Sequence, residues 1–340
     1  MSTIDSKFNY QNGLLNFPQP FVENDSLMMN FLFKADINLL QQVCDNWLNK
    51  PTNEDVYYQV LLPSVLVTFA DNKQCGPTSE PYCNWGVVNY SEAIFSIFVV
   101  RLAKEGEVWV AKHLSAIVPY IFVSDTIAMV TGREIYGLPK VLGWINMPAD
   151  PKNIKANFTL EAVGIPKFEK GSPFGKDLLC TITKTSDNSL TAERDWANVE
   201  EAIKDLRKII FGEGHILIPG INLIVEIAEL LIEKTLPFTA LRQVRSISHP
   251  EETVYKAIVN FNAKMTKFMA GGIIKGSYQL QMPENAVFPI ATDLGLANGQ
   301  MAEVAFYTQW SFLFESGSEV WMMKEKATLM QRIENVFENK

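Results

Sequence analysis

Hydrophobic and polar positions divide the 340-residue chain into stretches of different texture. After Asp36, a candidate helix cap, Ile37, Leu40, Val43 and Trp47 recur at helical spacing. From Val56 onward, VYYQVLLPSVLVTFA, EAIFSIFVVRLA and GEVWVAKHLSAIVPYIFV are rich in β-branched and aromatic residues and predict strands. The turn-rich interval DNKQCGPTSEPYCNWG between the first two reads as a loop. The first half is therefore expected to be a helix followed by a largely antiparallel sheet. A helix of about three turns should start at Asp125 (SDTIAMVTGREIYG). Gly137 suits a left-handed position at its end, and Pro139 pushes Leu138 out of the α region. Lys140 then emerges from a sharply defined helix-to-extended junction.

Strand-like sequence resumes in NIKANFTLEAVG and DLLCTITKTS. Residues 190–212 place Trp196, Val199, Ile203, Leu206 and Ile210 along one helical face, and a second apolar helix is expected from about Gly220 to Lys234. LPFTALRQVRSI, TVYKAIVNFNAKM, GSYQLQMP and QWSFLFESGSEVW return to strand texture, and the tail from Met323 to Lys340 is polar and helix-prone. The expectation is one α+β unit over residues 1–340, with a helical insertion at about 185–236 and a polar tail from about 323. The apolar content of the insertion predicts that it covers a cavity mouth or mediates self-association, so a homo-oligomer is expected.

Composition narrows the function classes. Apolar residues make up 47% and charged residues 20%, as in soluble globular proteins. A net charge of -8 argues against a general nucleic-acid binder, which needs clustered Lys and Arg. Cys44, Cys75, Cys83 and Cys180 show no CxxC spacing, and His113, His215 and His249 form no close pair, so no metal site is expected. The opening MSTIDSKFNYQNG lacks a signal-peptide apolar core. The most apolar run, Ile216 to Ile232, is interrupted by Pro219, Asn222, Glu226 and Glu229 and reads as no membrane span. A soluble, reducing, cytoplasmic setting is the expectation.

The segment GREIYGLPKVLG, Gly132 to Gly143, carries the chemistry. With its Gly-Arg-Glu stretch, Pro-Lys pair and Leu-Gly ending, it resembles the lysine-bearing motif of the acetoacetate decarboxylase family. NYSEAIFSIFV resembles that family's strand with an active-site glutamate, which implies this role for Glu92. NFLFKADINLL and SGSEVW extend the resemblance over most of the chain, apart from roughly residues 185–236 and the tail. The resemblance implies a strongly curved antiparallel sheet or barrel around an apolar cavity, with peripheral helices. It also implies cofactor-free decarboxylation of a small-molecule β-keto acid through a Lys140 imine, with Glu92 assisting proton transfer. An amine condensed with a ketone gives an iminium ion, an electron sink conjugated to the breaking bond. Such an amine must be neutral, although a free lysine titrates near ~10.4, and apolar burial is one physical route to that state.

The chain departs from the family pattern at three places. Val141 stands where a second lysine is usual, which leaves apolar surroundings (Leu138, Val141, Leu142 and Trp144) as the expected source of activation. VLVTFADNK offers Thr68 and Asp71 but no second pocket glutamate, and no arginine lies near Ser26 to receive a substrate carboxylate. These departures keep two alternatives open: a Schiff-base aldolase–dehydratase joining pyruvate to an aldehyde, and a non-catalytic ligand-binding barrel. Simpler roles compete residue by residue. A lysine after proline is commonly solvated, and Glu92 could be a solvent-facing strand residue. Arg133 and Glu134 suit a structural pair locking the helix end beside Pro139. Tyr136 either lines the pocket, as a substrate-binding candidate, or closes the helix against the sheet.

Overall fold

The computed structural model of the protein describes residues 16–53, 56–188, 192–212, 215–218, 223–226 and 234–323. In chain order the first strands are β1 (Phe21–Lys34), β2 (Tyr57–Val60), β3 (Ser64–Pro77), β4 (Val88–Glu105), β5 (Val108–Val123), β6 (Lys140–Asn146), β7 (Phe158–Gly164) and β8 (Gly175–Ser186). They are followed by β9 (Arg194–Asp195), β10 (His215–Ile218), β11 (Leu223–Glu226), β12 (Thr235–Arg245), β13 (Thr253–Ile273), β14 (Ser277–Gln281), β15 (Val304–Phe314) and β16 (Ser318–Met322). Helices α1 (Ile37–Cys44), α2 (Lys50–Thr52), α3 (Thr126–Glu134) and α4 (Val199–Phe211) lie between them, with a short fifth helix at Ile290–Leu294.

Seven strands close a barrel in the order β5-β12-β13-β15-β1-β3-β4, with β4 pairing back onto β5. Most pairings are antiparallel, as the alternating segments imply; β5 pairs in parallel with both β12 and β6. β6, β7, β8 and β14 continue the sheet outside the barrel. The α+β expectation of a curved sheet closing on itself, with peripheral helices, holds. Closure leaves the seven barrel strands without a free edge, and their inward side chains form the cavity walls.

Local capping follows the sequence. The Asp36 carboxylate accepts from Asn38 N and Leu39 N at the start of α1, and the Asp125 carboxylate accepts from Ala128 N at the start of α3. Three expectations need correction, the first being the loop expected from Asp71: β3 continues through Asp71 to Pro77, paired with β1 and β4. The sheet begins before α1, with β1, rather than at Val56. A register shift between Glu23 and Ser26, with Asp25 at φ 52°, breaks the apolar alternation by which a strand is recognised. Within the segment expected to form a helix from about Gly220 to Lys234, Leu223–Glu226 is strand β11, paired antiparallel with β10. Its Leu-Ile-Val run suits extended backbone better than helix. The rest of that segment up to residue 233 lies outside the described residues, as do the polar tail from 324 and the N-terminal residues 1–15. No helix among the described residues is long and apolar enough to cross a membrane.

Candidate active site

The way β6 joins the sheet decides where Lys140 points. β5 meets β12 at Ala116–Phe238; from Ile121 onward it pairs instead with β6, whose first residue is Lys140. Lys140 stands opposite Ile121, Ile121 opposite Ile94, and Val123 opposite Glu92. Side chains two residues apart share a face, so Tyr90, Glu92, Ile94, Ile121 and Lys140 all look into the barrel. They line a cavity of about 80 Å³ together with Phe17, Phe21, Phe261 and Phe314.

The helix-to-strand junction holds the lysine in place. Gly137 has φ 74°, the left-handed conformation expected of it, and a Cβ there would lie 2.6 Å from the Arg242 backbone. Leu138 N donates to Gly132 O (2.9 Å), and Lys140 N donates across Pro139 to Leu138 O (2.8 Å), closing a tight turn centred on the proline. The Arg133 guanidinium donates to Lys140 O at 3.1 Å. Arg133 thus secures the backbone of Lys140, and no ion pair joins it to the exposed Glu134 among the described residues. The lysine arm crosses α3 at Gly132, where a Cβ would meet Cδ at 2.4 Å and Cε at 2.7 Å. A larger residue there would collide with the arm.

Lys140 Nζ lies 2.5 Å from Glu92 Oε1, and both side chains are less than a tenth exposed. The solvated-surface readings of these two residues do not survive that burial. Nζ is also 5.7 Å from the centre of the Tyr90 ring. The Tyr90 hydroxyl donates to a second acidic group, Glu23 Oε1 on β1, which is buried too. Burial, followed by the nearby Glu92 charge, pushes the Glu23 carboxyl up to about 7, against the opposing pull of Lys140 and the Tyr90 hydrogen bond. Burial and the charges of Glu23 and Glu92 push the Tyr90 phenol well above its ordinary value, so it stays protonated and acts as a donor. The centre is one buried amine flanked by two carboxylates, one of which still carries a proton near neutrality.

The other expected residues divide. Tyr136 lines the cavity with its ring, packed 4.5 Å from Phe261, while its hydroxyl donates to Glu315 O at 3.0 Å. Leu142 and Trp144, expected to bury the lysine, are 43% and 49% exposed although they share its face of β6, because the strand leaves β5 after Leu142 and pairs with β7 outside the barrel. Trp144 instead carries the Lys176 ammonium over its ring at 4.9 Å. The lysine is enclosed by aromatic residues remote in sequence. Thr68 donates to Asn30 Oδ1, Asp71 pairs with Lys73 at 3.2 Å, and Ser26 is buried; none of the three lines the lysine cavity. Glu23 and Tyr90 are the members the motif reading missed. Tyr90 sits two residues before Glu92 on the same strand face, a usable signal; Glu23 sits beside the bulge and gives none.

Fold and site together define a class: a closed barrel of the acetoacetate decarboxylase fold with a buried lysine–carboxylate centre. An acetoacetate decarboxylase from Legionella pneumophila subsp. pneumophila strain Philadelphia 1 is similar at TM-score 0.57 and 13% identity, covering 94% of each chain. A second acetoacetate decarboxylase is similar at TM-score 0.54 and 15% identity, covering 91% of this chain and 93% of that one. The enduracididine biosynthesis enzyme MppR is similar at TM-score 0.52 and 12% identity, over 90% and 89% of the two chains. At these identities the likeness establishes the fold. No protein-family model and no curated protein sequence matches the chain.

Proposed function

We propose that the protein is a cofactor-free lyase that decarboxylates a β-keto acid through an imine on Lys140. The observation that carries this reading is the buried Lys140–Glu92 contact, 2.5 Å long, inside an apolar cavity with Glu23 close by. Lys140 Nζ attacks the ketone carbon, and water leaves as the iminium forms. The pair of electrons from the bond to the carboxylate moves into the iminium, giving an enamine as carbon dioxide departs. The enamine carbon then takes a proton, and water hydrolyses the new iminium to release the ketone and the amine.

Glu92, in contact with Nζ, takes and returns the protons of imine formation and hydrolysis. Glu23, which keeps its proton up to about pH 7, supplies the acid form near neutrality. Lys140 is the one cationic residue lining the cavity among the described residues, beside the acidic Glu23 and Glu92. A substrate carboxylate bound there is crowded by like charge, and loss of neutral carbon dioxide relieves that crowding.

The same set supports a second reading. An acid and a base around a lysine imine would also serve condensation of pyruvate with an aldehyde followed by loss of water. MppR, of similar fold, has been captured with pyruvate and with the condensation product of pyruvate and imidazole 4-carboxaldehyde. Separate incubations decide between them. Carbon dioxide from β-keto acids, with no product from pyruvate plus aldehydes, is the expected result; condensation product without carbon dioxide release would overturn decarboxylation in favour of the aldolase–dehydratase.

A further inference from the structure

The lysine cavity is one end of a longer barrel interior. Beyond it lies a second, larger cavity of about 200 Å³, lined by residues from all seven barrel strands. The two share part of their walls: Met28, Ile94, Leu236, Phe238 and Phe312 line both. Ile94 is two residues from Glu92 on the same strand face, so this common waist adjoins the reacting amine. The far chamber is walled mainly by aliphatic and aromatic side chains, with small polar ones such as Ser96, Ser115 and Thr308 between them.

Helix α4 closes the far end. Asn198 caps it by accepting from Glu201 N, and Asp205 accepts from the Trp196 indole at 2.7 Å, tying the helix to the segment before it. Ile203, Leu206 and Ile210 face the chamber, and Phe211 meets Phe98 edge-on at 5.1 Å. The described helix of the insertion, α4, thus lines one end of the cavity. Its cationic contribution, Arg207, lines this same end, as does Lys234, which is held by Glu200 at 3.3 Å.

We infer that the far chamber receives the hydrocarbon tail of the substrate, so that the preferred keto acid carries a medium-length alkyl or aryl-alkyl chain rather than the methyl group of acetoacetate. The inference rests on the imine reading above and adds the substrate class. With the keto group at Lys140 Nζ, the apolar volume that shares walls with the site runs past the waist toward α4. A chain laid there buries methylene groups against aliphatic and aromatic walls, and its carboxylate stays at the polar end beside the lysine.

The test is the dependence of kcat/KM on chain length, using acetoacetate and its straight-chain 3-oxo homologues, with borohydride trapping at Lys140 measured in parallel. Each methylene accommodated should raise kcat/KM about fourfold until the chamber is full. Narrowing the chamber with Ser96→Phe, or with Leu206→Phe on α4 should the first variant fail to fold, should remove the gain for the longer chains. A flat or falling profile in the wild-type protein, with acetoacetate still trapped on Lys140, would overturn the tail site and leave the imine reading standing. No trapping on Lys140 with any keto acid would overturn both.

Discussion

Replacing Gly132 with alanine sets two effects of opposite sign against each other. Gly132 lies inside α3, where alanine ordinarily stabilises a helix by ~1 kcal/mol. Here the added methyl would lie 2.4 Å from Lys140 Cδ, 2.7 Å from Cε and 2.9 Å from Cγ, well inside contact distance for three consecutive carbons. Overpacking of this kind costs ~1–3 kcal/mol, so the net change in stability should be a loss of at most about 2 kcal/mol. The larger effect falls on position. The arm cannot keep its path over α3, and Nζ must leave its place beside Glu92. A displacement near 1 Å is enough to slow catalysis by ~10²-fold. Thermal melts with steady-state kinetics and borohydride trapping rates measure both effects. A folded Gly132→Ala protein trapping keto acid at the wild-type rate would refute the argument that the glycine holds the lysine path open.

Three further outcomes are expected. Glu23 in the folded chain keeps its proton up to about pH 7 against 4.5 ordinarily, so the folded state binds more protons between those values and stability falls as pH rises through them. The gap amounts to roughly 3 kcal/mol at about 1.4 kcal/mol per pH unit; Glu23→Gln should approach that advantage over wild type in urea titrations at pH 8 and lose it near pH 4.5. Glu92→Gln should slow turnover by ~10²–10⁴-fold and slow imine trapping on Lys140 with it, and a folded variant that traps and turns over keto acid at wild-type rates would count against a proton-transfer role. Gly137→Ala combines a left-handed backbone with a contact of 2.6 Å to the Arg242 backbone, so it should lower stability by more than ~1–2 kcal/mol in the same titrations.

The parts of the site legible in the sequence are those set by local chemistry. Gly137 and Pro139 mark the junction because backbone geometry allows few other residues there, and the motif singles out Lys140. Glu92 is legible from a resemblance on an alternating strand. Glu23 is not, because a bulge interrupts the alternation of β1, and because its partner Tyr90 is 67 residues away. The apolar surroundings of the lysine are read only in part from neighbours in sequence: Leu138 lines the cavity, but Leu142 and Trp144 lie where β6 runs outside the barrel, and Phe17, Phe261 and Phe314 arrive from distant strands and the N-terminal segment. Enclosure of this kind is a property of barrel closure, which no local pattern carries.

The insertion divides in the same way. The helical face of Val199, Ile203 and Leu206 is plain in the sequence, and α4 forms there. What the face covers depends on the barrel it sits on. The following apolar run has no periodicity that separates helix from strand, and its described part pairs as β10 and β11.

The central claim is that Lys140 forms an imine with the substrate. Incubation with keto acids, reduction with borohydride and mapping of the adduct by mass spectrometry test it most directly. A substrate-dependent mass gain on Lys140, absent from a folded Lys140→Ala protein, is the expected result. Turnover with no adduct on Lys140, or an adduct that persists unchanged in Lys140→Ala, would contradict it.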